Sequence, residues 1–91
     1  MENFQIVQMR LTGVDAQYYR CQLAEFTERM LKKFPDVTNI QYGKQDSRGG
    51  FSITFFDNKH CVPMQRQFSS KELMLGFVVG YNQAQCNHGY L

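Results

Sequence analysis

Ninety-one residues hold one hydrophobic core and leave no room for a second domain. With 43% hydrophobic and 20% charged residues the composition is that of an ordinary globular chain, which excludes wholesale disorder and fibrous repeats. The formal net charge of +2 is too small to define an acidic partner by itself, and no apolar run reaches the ~18 residues that cross a membrane.

Residues Asn3 to Leu11 are rich in β-formers. Phe4 and Ile6 share one phase, while Val7, Met9 and Leu11 take the other, which predicts a strand apolar on both faces or a bulge near Ile6. After the turn Thr12-Gly13-Val14, Asp15 is the candidate cap of a helix over Ala16 to Phe34. Ala16, Tyr19, Leu23, Phe26, Met30 and Phe34 recur at three- and four-residue steps and form one apolar stripe. Glu25 with Arg29 and Glu28 with Lys32 are i,i+4 pairs in the favourable order, and Pro35 ends the element.

Three further strands are predicted. Val37 to Lys44 carries Thr38, Ile40 and Tyr42 on one face; Phe51 to Asp57 alternates, with Phe51, Ile53 and Phe55 on one side. The turns between them fall at Gln45 to Gly50 and at Asp57-Asn58-Lys59. His60 to Phe68 is the weakest of the three, and Pro63 places it at a sheet edge. Ser69-Ser70-Lys71-Glu72 is a capping box with Ser69 as N-cap, and Phe68 with Leu73 forms a hydrophobic staple. This opens a last helix running to about Gln85, followed by a loose tail over 86–91. The result is a single α+β domain over 1–91 in the order β-α-β-β-β-α, an antiparallel sheet with two helices packed on one face.

The last helix carries Leu73 to Val79, which has no polar side chain, although a helix lying on one sheet needs only a stripe. Leu73, Phe77 and Tyr81 fill that stripe, and Met74, Leu75, Val78 and Val79 fall beside or opposite it. Either the first helix covers these residues, with Gly76 and Gly80 allowing close approach, or they form a docking surface for a second chain.

Chemistry-bearing residues are sparse. The odd cysteine count (Cys21, Cys61, Cys86), without CxxC spacing, suits a reducing compartment, and Met1-Glu2-Asn3-Phe4 lacks a secretion-signal pattern, so a cytoplasmic protein is expected. His60-Cys61 and Cys86-Asn87-His88 offer metal-ligand types without metal-ligand spacing, so no metal and no cofactor is expected. No nucleophile sits beside a base, and the eight carboxylates are scattered, so no enzyme is expected.

Arg48 to Phe56, with its Gly-Gly-Phe and alternating aromatic residues, resembles the aromatic β3 motif of the RNA recognition motif, with Gly50 and Ser52 departing from that pattern. From the first helix onward, the α-β-β-β-α order is also similar to a double-stranded RNA-binding domain. These resemblances imply an alternative function, a single-stranded nucleic-acid binder that uses a sheet face of Tyr42, Lys44, Arg48, Phe56, Lys59 and Arg66. The leading expectation is a non-catalytic protein-interaction module. It would be a small regulator or inhibitor of a protein or nucleoprotein complex, with a homodimer as its self-associating form and no membrane partner. Phage and mobile-element anti-defence proteins such as anti-CRISPRs exemplify small chains of that kind. Its partner-binding residues are Met74, Leu75, Val78 and Val79.

Overall fold

The computed structural model describes residues 4–44, 50–57 and 64–89, with side chains to 86. Strand β1 (Phe4–Val7) leads into helix α1 (Ala16–Lys33), followed by strands β2 (Val37–Lys44), β3 (Phe51–Asp57) and β4 (Met64–Phe68) and helix α2 (Lys71–Gly89). The α+β order read from the sequence is therefore the order of the fold. The sheet runs β1-β2-β3-β4. It is mixed and not wholly antiparallel: α1 carries the chain back along its own length, so β2 starts from the same end as β1 and pairs with it in parallel. The two hairpins then make β2–β3 and β3–β4 antiparallel.

β1 is shorter than its β-forming sequence. It stops at Val7 because Gln8 adopts a positive φ of 51°, so the phase change comes from the strand ending and not from a bulge at Ile6. Met9 and Leu11 still pack against the core from the connecting segment. β1 and β2 approach so closely that a Cβ at Gly43 would collide with the carbonyl of Val7; only glycine fits there, at φ +153°.

α1 ends at Lys33, before Pro35 as expected, and both i,i+4 ion pairs form: Glu25–Arg29 at 3.0 Å and Glu28–Lys32 at 3.7 Å. Asp15 does not cap through its side chain. Its own backbone is already helical (φ −88°, ψ −4°), whereas a capping side chain reaches back from an extended residue. At α2 the cap is Ser70 and not Ser69: the Leu73 amide donates to Ser70 Oγ at 3.2 Å, which moves the helix start one residue on and leaves Glu72 out of the N3 position. Phe68 packs on Phe77, with ring centroids 5.4 Å apart, in place of a staple with Leu73. α2 also outruns its expected end, because nothing before Gly89 interrupts it, so 86–89 are helical and not a loose tail. The turn over Gln45 to Gly49 and the part of the predicted strand from His60 to Pro63 lie outside the described residues.

Both helices lie on one face of the sheet. Leu23, Phe26 and Met30 of α1 and Met74, Leu75 and Val78 of α2 share one core with Phe4, Ile40, Tyr42 and Ile53. Tyr42 stands at its centre, fully buried, with its ring edge-to-face with Phe4 and with Phe26 at 5.9 and 6.3 Å. Thr27 Oγ1 and the Tyr42 hydroxyl share a hydrogen bond of 2.7 Å, and the Leu23 carbonyl lies within reach of both, at 2.8 and 3.4 Å. A polar row crosses the opposite face: Gln5, Gln41, Thr54 and Gln65 align across the four strands, and Gln41 Nε2 donates to Gln5 Oε1.

Burial pushes the Tyr42 phenol well above its usual range, partly offset by its bond to Thr27. The folded state thus favours the neutral ring, and this contribution to stability is intact below the unfolded tyrosine pKa of about 10 and is lost as pH rises beyond it. Denaturant titrations from neutral pH to about pH 11 should show stability falling more steeply in the native protein than in Tyr42→Phe. Parallel pH profiles would contradict this.

Candidate interaction surface

Met74, Leu75 and Val78 were expected to face a partner; the structure places them inside the protein. Met74 and Val78 are fully buried, Leu75 is 4% exposed and Val79 is half-buried. α1 lies beside α2, so α2 packs against two neighbours at once and hides more than one stripe. Asn82, buried between the helices, ties them by donating to the Gln22 carbonyl and to Gln22 Oε1 at 3.0 and 2.9 Å. Conversely Leu73, assigned to the interior by its spacing, is 57% exposed. The proposed apolar docking face of α2 is therefore largely core.

Gly76 and Gly80 do not explain themselves through this packing. A Cβ at either would meet nothing within 4 Å, so α1 does not need the space they leave. They border a groove of about 500 Å³ with Asp15, Lys71, Glu72 and Gln83 on its rim.

The nucleic-acid face is not assembled either. Tyr42 is sealed under α1 with its hydroxyl bonded, so its ring has no surface on which a base could stack. Phe56 alternates onto the other face of the sheet and is half-buried, as is Lys44. Arg66 pairs with Ile53 on the helix side of the sheet, and Arg48 and Lys59 lie outside the described residues. Strand parity explains the split: residues 42 and 56 fall on opposite faces once the hairpin register is set.

Cys21 and Cys86 are exposed free thiols. Cys86 Sγ accepts from Arg29 Nη2 at 3.4 Å, and the same nitrogen donates to Glu25 Oε1 at 3.0 Å. That hydrogen bond to Glu25 holds the guanidinium more firmly in its charged form. Cys61 and His60, and the side chain of His88, lie outside the described residues. Among the described residues no three His, Cys, Asp or Glu side chains gather as metal ligands, and no helix is long and apolar enough to cross a membrane.

What the structure does open is a groove of about 320 Å³ between the C-terminal half of α1, the middle of α2 and the β3–β4 end of the sheet. Its floor is Phe26, Ile53 and Phe77, and its mouth is flanked by Phe34 and Met64, which are 43% and 49% exposed. Among the described residues of its lining, Lys33 and Arg66 are the charged ones and none is acidic. Arg66 rests against this apolar wall, with its guanidinium carbon 4.5 Å from the centre of the Phe77 ring and 5.8 Å from that of Phe68. Sequence reading assigned Phe34 to the buried stripe of the first helix. Pro35 instead stops α1 before that residue could be covered. The signal that could have located the groove is Arg66 itself, a charge in phase with Met64 and Phe68 on the strand face that should point inward.

Compared with models of known families and with curated proteins, the chain matches none.

Gly76 and Gly80 cost roughly 1 kcal/mol each against alanine in a helix, with no packing requirement inside the protein to explain them. Gly76→Ala and Gly80→Ala should each raise stability by about 0.5–1 kcal/mol in chemical denaturation. A loss of stability in either variant would mean that α1 lies closer to this face than described.

Proposed function

We propose that this chain is a non-catalytic interaction module, a small regulator or inhibitor that acts by holding a macromolecular partner. Its docking surface is the groove between the helix layer and the β3–β4 end of the sheet. The observation that carries this reading is the pairing of Phe34 and Met64, two large apolar side chains left about half exposed on either side of an apolar cleft. Water against such a cleft is displaced favourably by any complementary side chain, at about 25 cal/mol per Å² of apolar area covered. Clefts of roughly 300 Å³ and above lie in the range that holds a ligand or an anchoring side chain. The aromatic and methionine lining suits a protein contact: these side chains are enriched at interfaces and adapt to the shape they meet. Arg66, stacked on Phe77, adds an oriented charge at the rim, where charges set specificity more than affinity.

A photo-crosslinking residue introduced at Met64 or at Phe34 tests this in an extract of the source cells, with Glu28, exposed on α1, as the control position. The expected result is a crosslinked protein of one defined mass from both groove positions and none from position 28. Identical products from position 28, or crosslinks to nucleic acid alone, would contradict it.

A further inference from the structure

Among the described residues β4 is the last strand of the sheet, with β3 along one edge of its backbone and no described strand along the other. Met64, Gln65 and Arg66 of that strand also line the apolar groove. A single ligand can therefore satisfy both surfaces at once. We propose that the β4 edge and the groove capture an extended segment of a partner protein, added as a further strand beside β4. That segment carries an acidic side chain between two apolar ones, in the pattern apolar-x-acidic-x-apolar. This rests on the interaction-module reading and specifies its partner.

The pattern follows from the register. Met64, Arg66 and Phe68 pair with Phe55, Ile53 and Phe51, so all three point to the helix side, while Gln65 and Gln67 point to the polar face. In an added strand, the residues opposite these three point the same way, about 4.5–5.5 Å from them at Cβ. The residue facing Met64 enters the groove and must be apolar. The residue facing Phe68 meets its ring and, beyond it, Phe77. Between them lies Arg66, whose guanidinium already rests on Phe77, so an opposing carboxylate meets a charge that needs little reorganisation. Lys33, also in the lining, adds a second positive charge, and no described lining residue is acidic. The two intervening positions face Gln65 and Gln67 and are polar.

Two other occupants fit less well. A second copy offering its own β4 has no carboxylate to give, since Met64-Gln65-Arg66-Gln67-Phe68 contains none, and symmetric antiparallel pairing would set Arg66 against Arg66. A fatty carboxylate matches the groove and the charge but has no amide groups for the strand edge, which is the basis of recognition by strand addition.

A terminally blocked peptide with the core valine-threonine-glutamate-threonine-phenylalanine tests the proposal on the intact protein by calorimetry and by amide exchange. Binding should slow exchange within Met64–Phe68 and weaken about threefold or more when the central glutamate becomes lysine. The lysine peptide should in turn prefer Arg66→Glu, a substitution at an exposed position. No binding of the glutamate peptide, equal binding of both peptides, or binding of decanoate with unchanged β4 exchange would overturn the proposal. Groove-specific crosslinking that persists when the peptides fail to bind would overturn the strand pattern and leave the interaction-module reading in place; loss of both would overturn both.

Discussion

One hydroxyl at the middle of the sheet fixes where the helix layer sits. Tyr42 rises from the central strand β2, reaches Thr27 on α1 and fills the space between Phe4 and Phe26. Because that hydroxyl is buried, it must find a partner, and Thr27 becomes that partner only when α1 lies across β2 in one position. With α1 fixed, α2 has one slot left, alongside α1 and over β3 and β4. There Phe26 meets Phe77 and Tyr81 at 6.0 and 5.3 Å, and Asn82 meets Gln22. Which apolar surface is hidden and which stays open follows from this placement.

Much of the fold was legible because its signals are local. The three-and-four spacing from Leu23 to Met30, the stop at Pro35 and the clean alternation of Phe51 to Phe55 each depend on a few neighbouring residues. The features that local signals do not carry are those that depend on a distant element. Whether Leu75 is exposed depends on whether α1 lies beside it, and no periodicity within α2 reports that. The direction of β1 depends on the crossover as a whole. The buried face of α2 is centred on Met74 and Val78, one position and so about 100° on from Leu73, and that choice of face is set by packing against α1 and the sheet.

The same distinction governs the site. Tyr42 and Phe56 look like a stacking pair in sequence because both are aromatic and lie on adjacent strands, but the hairpin register sends them to opposite faces. The groove, by contrast, is assembled from α1, α2, β3 and β4, and no stretch of the chain contains more than a fragment of it. Phe34 is open because its helix ends there, and Met64 because its strand is the last of the described sheet. The molecule covers the greasy run of its second helix with its first and leaves open the groove between the two helices and the β3–β4 end of the sheet.

That division is most directly measured by solvent paramagnetic relaxation in the methyl spectrum of the monomer. Met64 should relax strongly with a soluble paramagnet, whereas Met74, Leu75 and Val78 should be protected. Strong relaxation of Leu75 and Val78, or protection of Met64, would contradict the placement of α1 beside α2 and the open groove that follows from it.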